Sequence, residues 1–264
     1  LMKNEQAKAM VEAKLQIINS DQDKITELVN EQVYRLCNWQ ETDRKINFRR
    51  FFTVNGLICL NIQDDAVFTH FHSYIKELKD EGVFQGLRID HIDGLHNPEK
   101  YLKDLRDLMG DETYITVEKI LEPGERLPDW PIQGNTGYDF LSDVNNLFTN
   151  IENEKAFSKY YQKLTGDKTP VTEQILAKKA HILFEHMQGE LDNLYRLFIS
   201  LGLADDAEYG AGESENLKKT IAEFLIHCPV YRFYGNQLPL GRKEENEVSE
   251  ILKLVKKKKP ELTG

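Results

Sequence analysis

Two acidic residues stand where reactive groups tend to collect. Asp90 closes a short apolar run, Leu87 to Asp90, bracketed upstream by Gly82 and Gly86, and Glu118 closes a β-branched run, Thr113 to Glu118. Between them Asn97-Pro98 is a helix start, because proline suits the first helical position. Tyr101, Leu102, Leu105 and Leu108 make that helix's buried stripe, and Gly110 can end it in the left-handed conformation. Residues 86–118 therefore predict a β-α-β unit with parallel strands. In a parallel α/β barrel, side chains at the C-terminal strand ends converge on one face. Adjacent strands lie about 4.8 Å apart, so two carboxyl groups there can sit about 5–5.5 Å apart, the separation of retaining glycoside chemistry. One would attack an anomeric carbon while the other protonates the departing oxygen. The plainer reading is two acids that merely end strands.

Arg88 precedes Asp90 by two residues, so the strand's alternation puts both on one face. A guanidinium there favours the ionised carboxylate that a nucleophile requires. Glu118 must instead hold its proton near neutral pH, through burial or the first carboxylate's charge. Lys119 should point to the opposite face. A rival reading takes His91, Asp93 and His96 as metal ligands; the other makes His91 a hydrogen-bonding wall of a sugar pocket. His181 and His186 flank Glu185 without HExxH spacing and read as solvated or satisfied histidines.

These residues need elements to hold them. Residues 3–36 read as helix, broken at Asn19-Ser20-Asp21, with Met10, Val11, Leu15 and Ile18 on one face. Ile46 to Phe52 is β-prone, with Asn47 and Arg49 on one side and Arg50 on the other. Asp64 or Asp65 can cap a helix carrying Val67, Phe71, Ile75 and Leu78. Residues 120–138 form a Pro- and Gly-rich connection, long enough to be functional more often than idle. From about 150 to 227 the pattern is helical. One long segment there, with Ile175, Ile182, Met187, Leu191, Leu194 and Phe198, reads as core-packed. Pro229 to Tyr234 reads as a further strand.

Composition bounds the rest. The chain has 264 residues, 40% hydrophobic, with 16 Gly and 8 Pro, which excludes collagen-like, low-complexity and wholly disordered chains. A net charge of −10 without a basic stripe argues against nucleic acid as partner. The basic run Lys256 to Lys259 reads as a solvated tail. Three scattered cysteines, Cys37, Cys59 and Cys228, fit a reducing cytoplasm rather than a disulfide framework or zinc site. No apolar stretch approaches the roughly 20 residues of a membrane span, so no membrane partner is expected.

The run Gly86-Leu-Arg-Ile-Asp-His-Ile-Asp-Gly-Leu95 resembles the nucleophile strand of the α-amylase superfamily, glycoside hydrolase family 13, in the form typical of maltooligosyl trehalose synthases. Further stretches resemble the same family in its order: Tyr34-Arg-Leu with Trp39, Ile46 to Phe52, Val117-Glu-Lys-Ile-Leu121 running into Pro123-Gly-Glu-Arg-Leu-Pro128, Gly134 to Phe140, and Cys228-Pro-Val-Tyr-Arg232. The resemblance spans about residues 25 to 235. It implies an α/β fold, part of a (β/α)₈ TIM-type barrel with a large helical insertion. The implied activity converts the reducing-end α-1,4 linkage of a maltodextrin into an α,α-1,1 linkage. Asp90 would be the nucleophile and Glu118 the general acid/base, with Arg88 and His91 supporting them. Asn47, Arg49, Trp130 and Tyr138 are the candidate substrate contacts, although Trp130 and Tyr138 could equally be packing. No cofactor and no metal is implied; the partner is a maltooligosaccharide.

The resemblance also shows departures. An earlier strand ending in Asp, with a nearby Asn-His, is not found, nor is a third catalytic carboxylate from a late strand. The expectation is a central fragment that needs the remaining barrel segments and is impaired alone. Its parts would be an N-terminal helical segment (1–45), a partial barrel with both carboxylates (46–149), a helical insertion (150–227), and a return strand with a helical, basic tail (228–264). Two alternatives stay open: an amylase-like hydrolase, and a non-catalytic glucan-binding fragment.

Overall fold

The β-α-β unit forms where its pattern requires. The structure is a computed structural model describing residues 4–204, 211–235 and 239–262. It divides into two compact units, Leu1–Thr42 and Asp43–Gly264. In the first, α1 (Glu5–Asn19) and α2 (Gln22–Asn30) are separated by Asp21, whose carboxylate accepts from the N–H groups of Asp23 and Lys24. The predicted break is therefore a helix cap. Neither helix buries a residue, and Met10 and Leu15 of the predicted apolar face are exposed.

The second unit opens with β1 (Arg50–Phe51) and β2 (Val54–Ile58), an irregular antiparallel pair much shorter than the predicted run from Ile46. Helix α3 (Asp65–Asp80) is capped by Asp64. Its buried face centres on Phe68, His72 and Ile75, and Phe71 is exposed. Strand β3 (Gly86–Ile89), helix α4 (Pro98–Met109) and strand β4 (Tyr114–Val117) follow, and β5 (Gly134–Asn135) joins β4 from within the long connection. The sheet order is β3-β4-β5, parallel throughout.

Alternation decides which face of this sheet is dry. Ile115 and Val117 are buried, and Leu87 and Ile89 pack on the same core. That core is closed by Tyr101, Leu102, Leu105 and Met109 of α4, together with Ile92 and Trp130. Leu102 and Leu105 are fully buried, each worth about 1.5–3 kcal/mol of transfer free energy. Arg106 fastens the turn into β4: its guanidinium donates to the carbonyls of Gly110, Thr113 and Pro131. Gly110 ends α4 at φ 85 and ψ 161, a positive φ but not the left-handed helical conformation expected.

Helices α5 (Tyr138–Leu147), α6 (Glu154–Thr165), α7 (Val171–His186), α8 (Gln188–Ser200), α9 (Ala211–His227) and α10 (Arg242–Lys258) complete the order. The single long helix expected around Met187 is two helices, α7 and α8, and of its apolar stripe only Leu191 is buried. The break seats on the hairpin. The buried Arg50 guanidinium reaches Glu190 Oε1 (3.0 Å), Asn55 Oδ1 (2.6 Å) and the His186 carbonyl (3.0 Å). The predicted strand Pro229–Tyr234 is irregular; its Arg232 and Tyr234 side chains bond the 91–96 loop, and among the described residues no strand ladder holds it. Lys256, Lys257 and Lys258 are exposed and form the last turn of α10, where cations complement the helix dipole.

Candidate active site

The register sets the two carboxylates side by side. Arg88 pairs with Thr116 and Ile89 with Val117. The Glu118 N–H donates to the Ile89 carbonyl (2.7 Å), extending the ladder one step beyond β4. Asp90 and Glu118 thus leave neighbouring strand ends on the face away from the core, together with Arg88. Arg88 Nη1 lies 2.7 Å from Asp90 Oδ1, and its Nη2 lies 3.0 Å from Glu118 Oε1. The expected Arg88–Asp90 pair forms, and the same guanidinium spans to the second acid.

The Arg88 hydrogen bond, with a smaller contribution from the adjacent Glu118 side chain, holds the Asp90 carboxyl below the usual carboxylate range. Glu118 is the more enclosed acid, 24% exposed against 59% for Asp90. Its Oε2 accepts from the His91 N–H (3.0 Å), and its Oε1 from the Tyr138 hydroxyl (3.3 Å). Gly137, at φ 80, starts the helix that delivers Tyr138.

His91 adopts a left-handed backbone (φ 47), as does Phe52 (φ 48), and the two rings stack at 4.7 Å. Phe51 meets the imidazole edge-on, and His91 Nε2 sits 3.1 Å from the Tyr231 hydroxyl. Only glycine fits at 94, because a Cβ there would come within 2.7 Å of the His91 ring. Asp90, His91, Phe51, Phe52, Tyr231 and Arg49 line a cleft of about 1270 Å³.

No family model matches the chain. Two proteins of Mycobacterium tuberculosis, from strains CDC 1551 and H37Rv, each named "Putative maltooligosyl trehalose synthase", are 33% identical over 202 residues, 76% of this chain and 25% of theirs. The solved maltooligosyltrehalose synthase of Arthrobacter ramosus superposes with a TM-score of 0.76 at 30% identity, covering 90% of this chain and 29% of that one. The "hypothetical maltooligosyl trehalose synthase" of Sulfolobus tokodaii gives 0.69 at 32% identity, over 91% and 30%. The chain is similar to one segment of these maltooligosyl trehalose synthases. It spans about a quarter of the length of the curated relatives it matches.

The fold gathers some of the predicted residues and disperses others. Asp90, Glu118, Arg88, His91 and Tyr138 form one bonded group, and Arg49 joins the cleft wall with Nη2 on the Gly94 carbonyl. Asn47 is exposed and does not line the cleft. Trp130 is not a sugar platform. It is 7% exposed, in the core and edge-on to Tyr234 at 5.3 Å, because the turn from Pro128 to Ile132 folds under the sheet. The three donors of the metal reading part company: His91 turns to Phe52 and Tyr231, and Asp93 turns to Lys119 and Tyr234. Among the described residues no group of three or more His, Cys, Asp or Glu side chains could hold a metal ion. Sequence reasoning missed the Phe51–Phe52 clamp and Tyr231. Both lay inside stretches singled out as strands, so their types were visible but their rings' direction was not.

Proposed function

We propose that the chain supplies the nucleophile and the general acid/base of a maltooligosyl trehalose synthase, an intramolecular glucosyl-transferring isomerase. In this reading residues 46–149 are part of a (β/α)₈ barrel, 150–227 an insertion, 1–45 and 228–264 flanking segments, and the remaining barrel strands its partners. The observation that carries it is Arg88 joined to Asp90 and Glu118 at the ends of adjacent parallel strands.

Asp90, kept ionised by Arg88, attacks the anomeric carbon next to the reducing-end glucose. Glu118 gives its proton to the departing glycosidic oxygen, so the C–O bond breaks as the Asp90 ester forms. The freed glucose turns within the cleft. Its anomeric hydroxyl then attacks the anomeric carbon held in that ester, giving its proton to Glu118 as the bond to Asp90 breaks. Two inversions retain configuration and give the α,α-1,1 linkage. Water must stay out during the turn, or the ester hydrolyses. The His91–Phe52 stack, Tyr231 and Tyr138 are the enclosure offered here, and Arg49 the hydroxyl contact. A cleft of about 1270 Å³ exceeds the roughly 300–1,000 Å³ of a small-molecule pocket, room for several sugar rings. Among the described residues no helix is long and apolar enough to cross a membrane. Free thiols at Cys37, Cys59 and Cys228 support a cytoplasmic setting.

The test is product analysis of maltohexaose incubated with the full-length protein. The expected product keeps six glucose units and loses its reducing end. Release of reducing sugars instead identifies a hydrolase, and saturable binding without turnover a glucan-binding protein.

A further inference from the structure

Lys119 follows Glu118 directly, and alternation turns it to the opposite face, where its side chain is 0% exposed. Its Nζ lies 2.8 Å from Glu125 Oε1 and 3.2 Å from Asp93 Oδ2, within ion-pair distance of both without aiming an N–H squarely at either. Those carboxylates are themselves nearly buried and otherwise engaged. Asp93 Oδ1 accepts from the Tyr234 hydroxyl, and Glu125 Oε2 from the Glu122 N–H (3.0 Å). Asp93 lies three residues beyond Asp90, in the loop whose carbonyls at Asp93 and His96 bond Arg232 at 3.1 and 3.2 Å. One ammonium therefore ties the end of β4, the loop after β3 and the start of the long connection.

We infer that Lys119 is a positioning residue, a buried brace that fixes the spacing of Asp90 and Glu118 through its hold on Asp93. This rests on the roles assigned to those two acids above. The path is short. The loop that Asp93 anchors begins at His91, whose left-handed backbone must be held from outside, and the His91 N–H bonds Glu118 Oε2. Releasing Asp93 frees that N–H to move, and Glu118 with it. Buried ion pairs are poor stabilisers compared with packed apolar groups, so what the ammonium supplies here is a fixed geometry between two loops and a strand end. A misplacement of about 1 Å can cost about 100-fold in rate.

The experiment measures kcat and KM with maltohexaose in the full-length protein for Lys119→Met, Asp93→Asn, their double variant, and Asp90→Asn. The brace predicts that each of the first two lowers kcat about 10- to 100-fold with KM within about two-fold. The double variant should be no slower than the worse single one, since both remove the same contact. Fully additive losses, or Asp93→Asn turning over at the normal rate, overturn the inference. If Lys119→Met does not fold, the isosteric Asp93→Asn decides alone. Asp90→Asn separates the two levels. Normal turnover there sinks the assigned roles themselves, whereas an inactive Asp90→Asn beside a normal Asp93→Asn sinks only the brace.

Discussion

Glu118 and Lys119 are neighbours in the chain and lie in different solvents. Glu118 lies on the sheet face away from the core with Arg88 and Asp90, a triad whose members are 24–59% exposed. Lys119 faces the core side with Asp93 and Glu125, a triad whose members are 0–10% exposed. Both are one cation between two carboxylates, at similar distances. On that exposed face, water screens the charges, so the arrangement contributes little to stability. In the core, each charge is paid for by desolvation, so removing one partner strands the others. One strand end thus carries a chemical triad and a mechanical one, and mutations should separate them cleanly.

The largest effect belongs to the exposed triad and to rate. Asp90→Asn and Glu118→Gln should each lower kcat about 1,000-fold or more while leaving the urea midpoint nearly unchanged. α-Maltosyl fluoride sharpens the roles: its leaving group needs no proton, so it should restore ester formation to Glu118→Gln and not to Asp90→Asn. The next effect belongs to the buried triad and to stability. Lys119→Met should cost about 3–5 kcal/mol in urea unfolding, because the nearly buried Asp93 and Glu125 lose the ammonium between them. Glu118→Gln measured the same way should lose less than about 1 kcal/mol. Equal losses from the two would erase the distinction.

Much of the exposed triad was legible beforehand, because alternation along a strand is a strict local rule. It assigned Arg88, Asp90 and Glu118 to one face and Lys119 to the other. The helix between them was equally plain, from Asn97-Pro98 and a stripe ending at Gly110. What Lys119 met on its face was not legible. Asp93 and Glu125 are distant in sequence from one another, and only the folding of two loops brings them to one ammonium. Trp130 failed for the same reason: its type suits a sugar face as well as a core, and the turn from Pro128 decides between them. Phe71 and His72 show a finer limit, since a one-residue rotation of α3 exchanges an exposed phenylalanine for a buried histidine. Ile46 to Phe52 promised a strand, but burial of Arg50 against α7 and α8 draws the segment out of extended pairing.

A smaller effect tests the electrostatics of the cleft. Asp90 sits below the ordinary carboxylate range chiefly because of Arg88. A depressed folded-state value stabilises the fold above the unfolded value of about 3.9 and loses that contribution as pH falls through the folded one. At 59% exposure the contribution to stability is slight. The same shift keeps Asp90 ionised further into acid, so Arg88→Met should move the acid limb of the kcat/KM profile to higher pH. An unmoved limb would mean that Arg88 does not set the ionisation of the nucleophile.

The smallest effect concerns Tyr138, whose hydroxyl donates to Glu118 Oε1 at 3.3 Å, a long contact to a group that Arg88 and the His91 N–H also hold. Tyr138→Phe removes that one bond and keeps the ring. A hydrogen bond of this kind is worth about 0.5–1.5 kcal/mol, so kcat should fall only a few-fold. The ring is the better measure of the enclosure. If it excludes water from the ester, Tyr138→Ala should raise the fraction of maltohexaose hydrolysed rather than isomerised, while Tyr138→Phe leaves that fraction alone. Equal partitioning in both variants would confine Tyr138 to holding Glu118 and move the water barrier to the Phe52–His91 stack.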